Sequence, residues 1–365
     1  MLAAFDADNL ATIAWKEPKN LLADIFFNST VPVDTFLFLS GLMVAYGFFS
    51  VGSCERSWWK NALYINNFGN LIEESCYPVS WSLAADMQLY IVAPLFLVPL
   101  ALSFNAGLAA IASAILASIV LTFYLTIAYD LPPIPMPARI DEILDYMDLI
   151  YTKPWTRCGP YLLGLLAGYA MIRMRQEPWS TRVKEWINTS RALLAWFISM
   201  ALFAAVVFGS HDYIQGVLAN FKTLDFTLPG FMQNADSEIW PPIFRAAYGY
   251  GVRLAWTAAL AWLIMACTFD WSPGPIKTIL EYPIWQPLGK LSYSAYLVHF
   301  LVIQYYVNIL DGPGHHSSFW RTYLDTVVPV VFLSCIAALF WSTIVEAPLG
   351  KVSGMLIEAG RKVRD

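Results

Sequence analysis

Residues 77–100, YPVSWSLAADMQLYIVAPLFLVPL, read as a membrane-spanning helix with a carboxylate, Asp86, set inside it. An ionised, unpaired acid at mid-span costs roughly 2.5–3.5 kcal/mol on insertion scales, so the chain must supply a partner or a polar cavity for it. Ser82, Asp86 and Tyr90 recur every fourth residue, which stacks them on one helical face. That face is expected to look into a helix bundle, where a partner or a substrate meets the charge.

The rest of the chain fits the same environment. Of its 365 residues, 58% are hydrophobic and only 13% charged, with a mean hydropathy of +0.53. A water-soluble domain carries about 25% charged residues. Fifteen Trp, 19 Tyr and 23 Phe suit aromatic belts at two membrane interfaces. The expected fold is all-α, a polytopic transmembrane bundle. About eight apolar runs are long enough to cross, near 33–51, 78–102, 106–129, 157–173, 191–209, 247–269, 287–309 and 324–345. Residues 1–30 form a non-spanning N-terminal segment, 31–350 a single transmembrane domain, and 351–365 a basic cytoplasmic tail. There is no internal repeat. A net charge of −5 without a long basic run argues against nucleic acid as a partner. The N-terminus lacks the basic stretch and uninterrupted apolar core of a signal peptide, with Asp6 and Asp8 where that core would lie.

Basic residues set the orientation. Arg173, Arg175, Arg182, Lys184 and Arg191 cluster in one connection, and Lys351, Arg361, Lys362 and Arg364 in the tail. Both read as cytoplasmic. An even number of crossings separates them, so the two assignments agree. Segments 130–154, 210–242 and 312–320 then face outward, as does the polar stretch between Cys54 and Cys76. A Cys54–Cys76 bridge there would close a loop of some twenty residues and contribute about 3 kcal/mol. Cys158, Cys267 and Cys335 read as small apolar residues. Of two sequons, Asn28 is open to glycosylation if the start of the chain is outside, whereas Asn188 falls in the basic cytoplasmic connection.

Further polar groups interrupt the spans. Ser292, Tyr296 and His299 make a stripe on an otherwise apolar helix, and imidazole serves as a general base near neutral pH. His299 is also a candidate partner for Asp86. Arg253 lies inside the 247–269 span and Arg157 opens the 157–173 span. Either can bind a phosphate or a carboxylate, although Arg157 can also snorkel to the outer interface. Asp34 and Glu346 sit at span ends, where an interfacial charge needs no further explanation. His315-His316 lacks the spacing of a two-His metal site on one helix face, so no metal is expected. No GxSxG, P-loop or GxGxxG pattern is present.

Several segments together resemble one family, the acyltransferase-3 membrane proteins, in their animal branch called nose resistant to fluoxetine. VDTFLFLSGLMVAYGF (33–48) resembles the family's LSG helix, and WSLAADMQLY (81–90) its tryptophan-led acidic signature, with Asp86 at the acidic place. WWKNALYINNF (58–68), TRCGPYLLGLLAGY (156–169), the Arg253 stretch, LGKLSYSAYLVH (288–299) and VEAPLG (345–350) follow in the family's order. The resemblance implies transfer of an acyl group, other than aminoacyl, from a donor such as acyl-CoA to a hydroxyl of a lipid or carbohydrate. It implies no bound cofactor, and membrane lipids, the donor and the acceptor as partners. On this reading His299, Asp86 and Tyr90 are the catalytic candidates. Trp81, Ser82, Arg157, Arg253 and Tyr296 line the substrate cavity. The family's first-helix His and the basic hairpin after the LSG helix have no counterpart here, since Phe49-Ser-Val-Gly-Ser runs straight into Cys54. The expectation is an incomplete form of the family's domain, in which His299 would have to stand in as base. The alternatives are a non-enzymatic carrier of lipids or hydrophobic drugs, and an inactive fragment.

Overall fold

A computed structural model describes residues 52–69, 77–135, 144–176, 187, 189–216, 239–271, 274–309, 319–348 and 351. Among them there are helices and turns and no strand. They fall into two compact units, with described residues up to Gly274 in the first and those from Pro275 in the second.

In the first unit, α1 (Gly52–Ala62) ends with Lys60 in its last turn, where a cation complements the helix dipole. Tyr64, at φ 56°, turns the chain away. A 3₁₀ turn, Pro78–Ser80, leads into α2 (Trp81–Val92), and Pro94 opens α3 (Pro94–Leu102). Proline has no N–H to continue the ladder, yet the Ala93 N–H still bonds the Leu89 carbonyl at 2.8 Å. The two helices therefore run on as one apolar stretch, Trp81–Leu102.

Ser103 alone, in extended conformation, joins α3 to α4 (Phe104–Ala128). So short a joint presses the two helices together, and Gly107 is what makes the contact possible. A Cβ there would lie 2.3 Å from the Leu100 Cα. Leu100 and Ile111 share their core with Leu162 of α5 (Pro154–Met174). Helices α6 (Thr189–Phe208) and α7 (Pro242–Thr268) complete the unit. Pro154 and Pro242 occupy first-turn positions, where the missing N–H costs nothing. Helices α4, α5 and α7 pack against one another and α6 packs on α7. The α6–α7 seam uses small residues, with buried Ser199 donating to the Ala259 carbonyl at 3.2 Å, as suits helix association in lipid.

The second unit begins within α8 (Gly274–Leu280). It continues with α9 (Trp285–Ile309), the short α10 (Phe319–Thr322), a π-turn at Tyr323–Val327, α11 (Val328–Trp341) and a second π-turn at Ser342–Glu346. Helix α9 packs along α11, with Ser294 and Ala338 fully buried. The Ser294 hydroxyl donates to Glu346, so this acid has an internal partner in addition to its place at a span end.

Among the described residues, five stretches are long and apolar enough to cross a membrane: Trp81–Leu102, Phe104–Ala128, Thr189–Gly216, Pro242–Thr268 and Tyr323–Ile344. In each no more than 22% of the most apolar window is buried. Side chains such as Leu102, Phe197 and Phe332 point outward. Apolar surface on that scale is stable against lipid rather than water. The expected count of about eight is not confirmed. The 33–51 run lies outside the described residues. Runs 157–173 and 287–309 do form helices, α5 and α9, but Arg157, Pro160 and Arg173 in one, and Lys290, Ser292 and His299 in the other, lower their apolarity.

Candidate functional site

The site is assembled at one end of the first unit, and buried amides hold it. Asn67 is fully buried and exchanges hydrogen bonds with Gln88 of α2: Asn67 Nδ2 donates to Gln88 Oε1 at 3.2 Å, and Gln88 Nε2 donates to Asn67 Oδ1 at 2.8 Å. Asn67 Nδ2 also reaches the Thr152 carbonyl at 3.1 Å. Lys153 is buried, and its Nζ donates to the Asn67 carbonyl at 2.7 Å and pairs with Asp148 at 3.3 Å. A parallel set uses Asn61, Asn66 and Ser80, with Asn61 Nδ2 donating to the Ser80 hydroxyl at 2.6 Å and to the Tyr77 carbonyl at 3.1 Å. Burial pushes the Tyr77 phenol up to about 12. These bonds tie the 58–69 segment to α2 and to the start of α5.

Two arginines sit on this frame. The Arg157 guanidinium lies between aromatic rings, its Cζ 4.0 Å from the Tyr151 centroid and 5.1 Å from that of Trp81, a cation–π arrangement. Its Nε donates to the Tyr151 carbonyl at 2.7 Å. Arg253 donates from Nη2 to the Tyr146 hydroxyl at 3.1 Å and from Nη1 to the Thr156 carbonyl at 3.3 Å. Thr156 is itself fixed by donating to the Ile150 and Lys153 carbonyls at 2.5 and 2.9 Å.

Arg157 and Arg253 both line a cavity of about 230 Å³. Pro133–Pro135, Tyr146, Tyr151, Val206, Gly249 and Trp256 supply much of the rest of its wall, most of it apolar. Gly249 is needed where the chain passes close, since a Cβ there would stand 3.1 Å from the Pro133 carbonyl.

The two guanidiniums share this cavity, and neither forms an ion pair with a carboxylate among the described residues. Asp86 interacts with Arg157 only through space. The neighbouring cations differ. Lys153 has Asp148, and Arg245, 2% exposed, pairs with Asp130 and donates to the Asp130 and Leu131 carbonyls at 3.1 and 3.2 Å.

The sequence-predicted residues are distributed as follows. Trp81, Ser82, Asp86, Tyr90, Arg157 and Arg253 belong to the first unit, and Tyr296 and His299 to the second. The stripe of Ser82, Asp86 and Tyr90 does not form the packed face of α2. Trp81, Ala84 and Ala85 do, whereas Asp86 is exposed and Tyr90 is 69% exposed. The physical reason is size: small Ala84 and Ala85 let α2 approach α5 closely. His299 is half-buried, with Nδ1 2.5 Å from the Tyr296 carbonyl. Cys76 and Asn28 lie outside the described residues. Cys54 is described only as part of α1, and no disulfide is formed among the described residues. Sequence reasoning did not single out Asn67, Lys153, Tyr146 or Tyr151. Adjacent asparagines in an aromatic segment were the available signal for the first.

An acyltransferase domain model matches residues 35–347. The chain belongs to the acyltransferase-3 family. It is similar to nose resistant to fluoxetine protein 6 of Caenorhabditis elegans, 27% identical over 426 aligned positions that cover 96% of this chain and 48% of that protein. It is also similar to regulator of hypoxia-inducible factor 1 of the same organism, 29% identical over 297 positions, 76% of this chain and 51% of that protein. The chain thus spans about half the length of these curated relatives. The first alignment is longer than the chain itself, so this relative carries residues inside the matched region with no counterpart here. No solved structure matches the chain significantly. In this acyltransferase-3 domain the matched region contains every site residue described above.

Proposed function

We propose that this chain is the catalytic domain of a membrane acyltransferase that moves an acyl group from acyl-CoA to a hydroxyl of a lipid or carbohydrate. The observation that carries the reading is the two-arginine cavity inside a domain of this family. A lipid-exposed bundle has little reason to hold two cations beside one another unless an anionic group of a reactant offsets them.

His299 is the proposed general base. Its Nδ1–H donating to the Tyr296 carbonyl leaves Nε2 as the nitrogen with the lone pair. Nε2 takes the acceptor's hydroxyl proton as the oxygen attacks the thioester carbonyl. The tetrahedral intermediate collapses with cleavage of the C–S bond, and the thiolate of CoA leaves and regains a proton from the imidazolium. Asp86 and Tyr90 of the first unit are proposed as further catalytic residues, with Trp81 and Ser82 beside them for substrate binding, and Tyr296 is proposed as a substrate-binding residue of the second unit.

The test is purified protein in lipid nanodiscs with labelled acyl-CoA and a panel of hydroxyl-bearing lipids and sugars. Transfer is expected in the wild type and a reduction of about a hundredfold to ten-thousandfold in His299→Ala, the range for loss of a general base. No transfer above the Asp86→Asn background with any acceptor would overturn the reading.

A further inference from the structure

We infer that the Arg157–Arg253 cavity receives the phosphate headgroup of an amphiphilic acceptor, entering from the non-cytoplasmic side, and not the phosphates of the CoA donor. The inference rests on the acyltransferase reading and adds to it the side and the chemical class of the reactant held there.

Position is the first argument. The cavity is lined by residues just after α4 (Pro133–Pro135), just before α5 (Tyr146, Tyr151), near the end of α6 (Val206) and from the first half to the middle of α7 (Gly249, Arg253, Trp256). Apart from the mid-helix Trp256, these mark one end of the helices. The opposite end carries Arg173 and Arg175 at the close of α5 and Arg191 at the start of α6. Those residues belong to the basic connection that the positive-inside rule puts in the cytoplasm. A cytoplasmic nucleotide donor would approach from that side.

Charge is the second. Lys153 and Arg245 have their own carboxylates, Asp148 and Asp130. Among the described residues Arg157 has only the through-space influence of Asp86, Arg253 pairs with no carboxylate, and no acid lines the cavity, so its described wall is positively charged. Guanidinium groups match the oxygens of a phosphate in geometry as well as in sign.

Size is the third. Pockets that enclose a drug-sized ligand run about 300–1,000 Å³. This cavity, about 230 Å³, suits a headgroup and is too small for a coenzyme. Its apolar wall of prolines, Val206 and Trp256 suits the first carbons of an amphiphile whose chains remain in lipid.

The experiment is equilibrium binding to the full chain in nanodiscs of neutral lipid. The probes are short-chain phosphatidic acid, diacylglycerol with the same chains, inorganic phosphate, and a non-hydrolysable acyl-CoA analogue. Phosphatidic acid should bind the wild type and lose at least tenfold in affinity in Arg157→Gln and in Arg253→Gln. Diacylglycerol should bind weakly and equally to all three. Val252→Phe, which fills the cavity and leaves both arginines in place, should also lose the lipid. Affinity for the acyl-CoA analogue should be unchanged in each folded variant.

Loss of the analogue in step with the lipid would overturn the inference and make this the donor site. So would inorganic phosphate binding as tightly as the lipid, or lipid affinity indifferent to all three substitutions. Intact, arginine-dependent lipid binding without acyl transfer to any acceptor would instead sink the acyltransferase reading and leave the site standing.

Discussion

At the residue scale, matched and unmatched cations behave differently. Arg245 is buried with three oxygens around its guanidinium, and it holds the turn after α4, where Asp130 takes a left-handed φ of 52°. Arg245→Met keeps the volume and removes the bonds. It should lower stability by about 1–3 kcal/mol, read as a reduced Tm in detergent, with Asp130→Asn costing less because that side chain is half exposed. Gln88→Leu strands the buried Asn67 amide and should cost about 1–3 kcal/mol by the same measurement. Tyr77 titrates higher in the folded protein than in the unfolded chain. The stability it brings is therefore complete below pH 10 and declines as pH rises toward about 12. Alkaline unfolding curves of wild type and Tyr77→Phe should converge at neutral pH and separate only above pH 10. Asp86 was legible in the sequence because a carboxylate in an apolar run stands out by composition. Lys153 was not, because the Asn67 carbonyl that buries with it lies far away in sequence and meets it only once the chain is folded.

At the scale of elements, glycine reveals which helix contacts are tight. Gly107→Ala would set a methyl 2.3 Å from the Leu100 backbone and should force α3 from α4, at a cost of about 1–3 kcal/mol or more. Gly164, mid-helix in α5 where an added Cβ would meet no neighbouring group within 4 Å, predicts the opposite. Gly164→Ala should raise stability by about 0.5–1 kcal/mol through helix propensity. Thermal unfolding of the pair separates the two effects. Helix positions were readable from apolar runs: 78–102, 106–129, 191–209, 247–269 and 324–345 all fall on stretches long and apolar enough to cross. The facing of α2 was not, because periodicity put Ser82, Asp86 and Tyr90 on one side without saying which neighbour covers it. Ala84 and Ala85, small enough for close packing, decided that.

For the molecule as a whole, the ordered motifs carried the family and the hydropathy carried the membrane. The cavity could not be read off, since its wall draws on four helix ends and a run of prolines more than a hundred residues apart in sequence. Its two arginines were visible singly, and only the fold shows them lining one cavity with no carboxylate paired to either among the described residues. The central claim is that this pair serves the acceptor. The most direct measurement is initial-rate kinetics of acyl transfer for wild type and Arg253→Gln, varying donor and acceptor in turn. The account predicts a KM for a phosphorylated acceptor raised at least tenfold with the KM for acyl-CoA unchanged. A raised KM for acyl-CoA with the acceptor unaffected would contradict it.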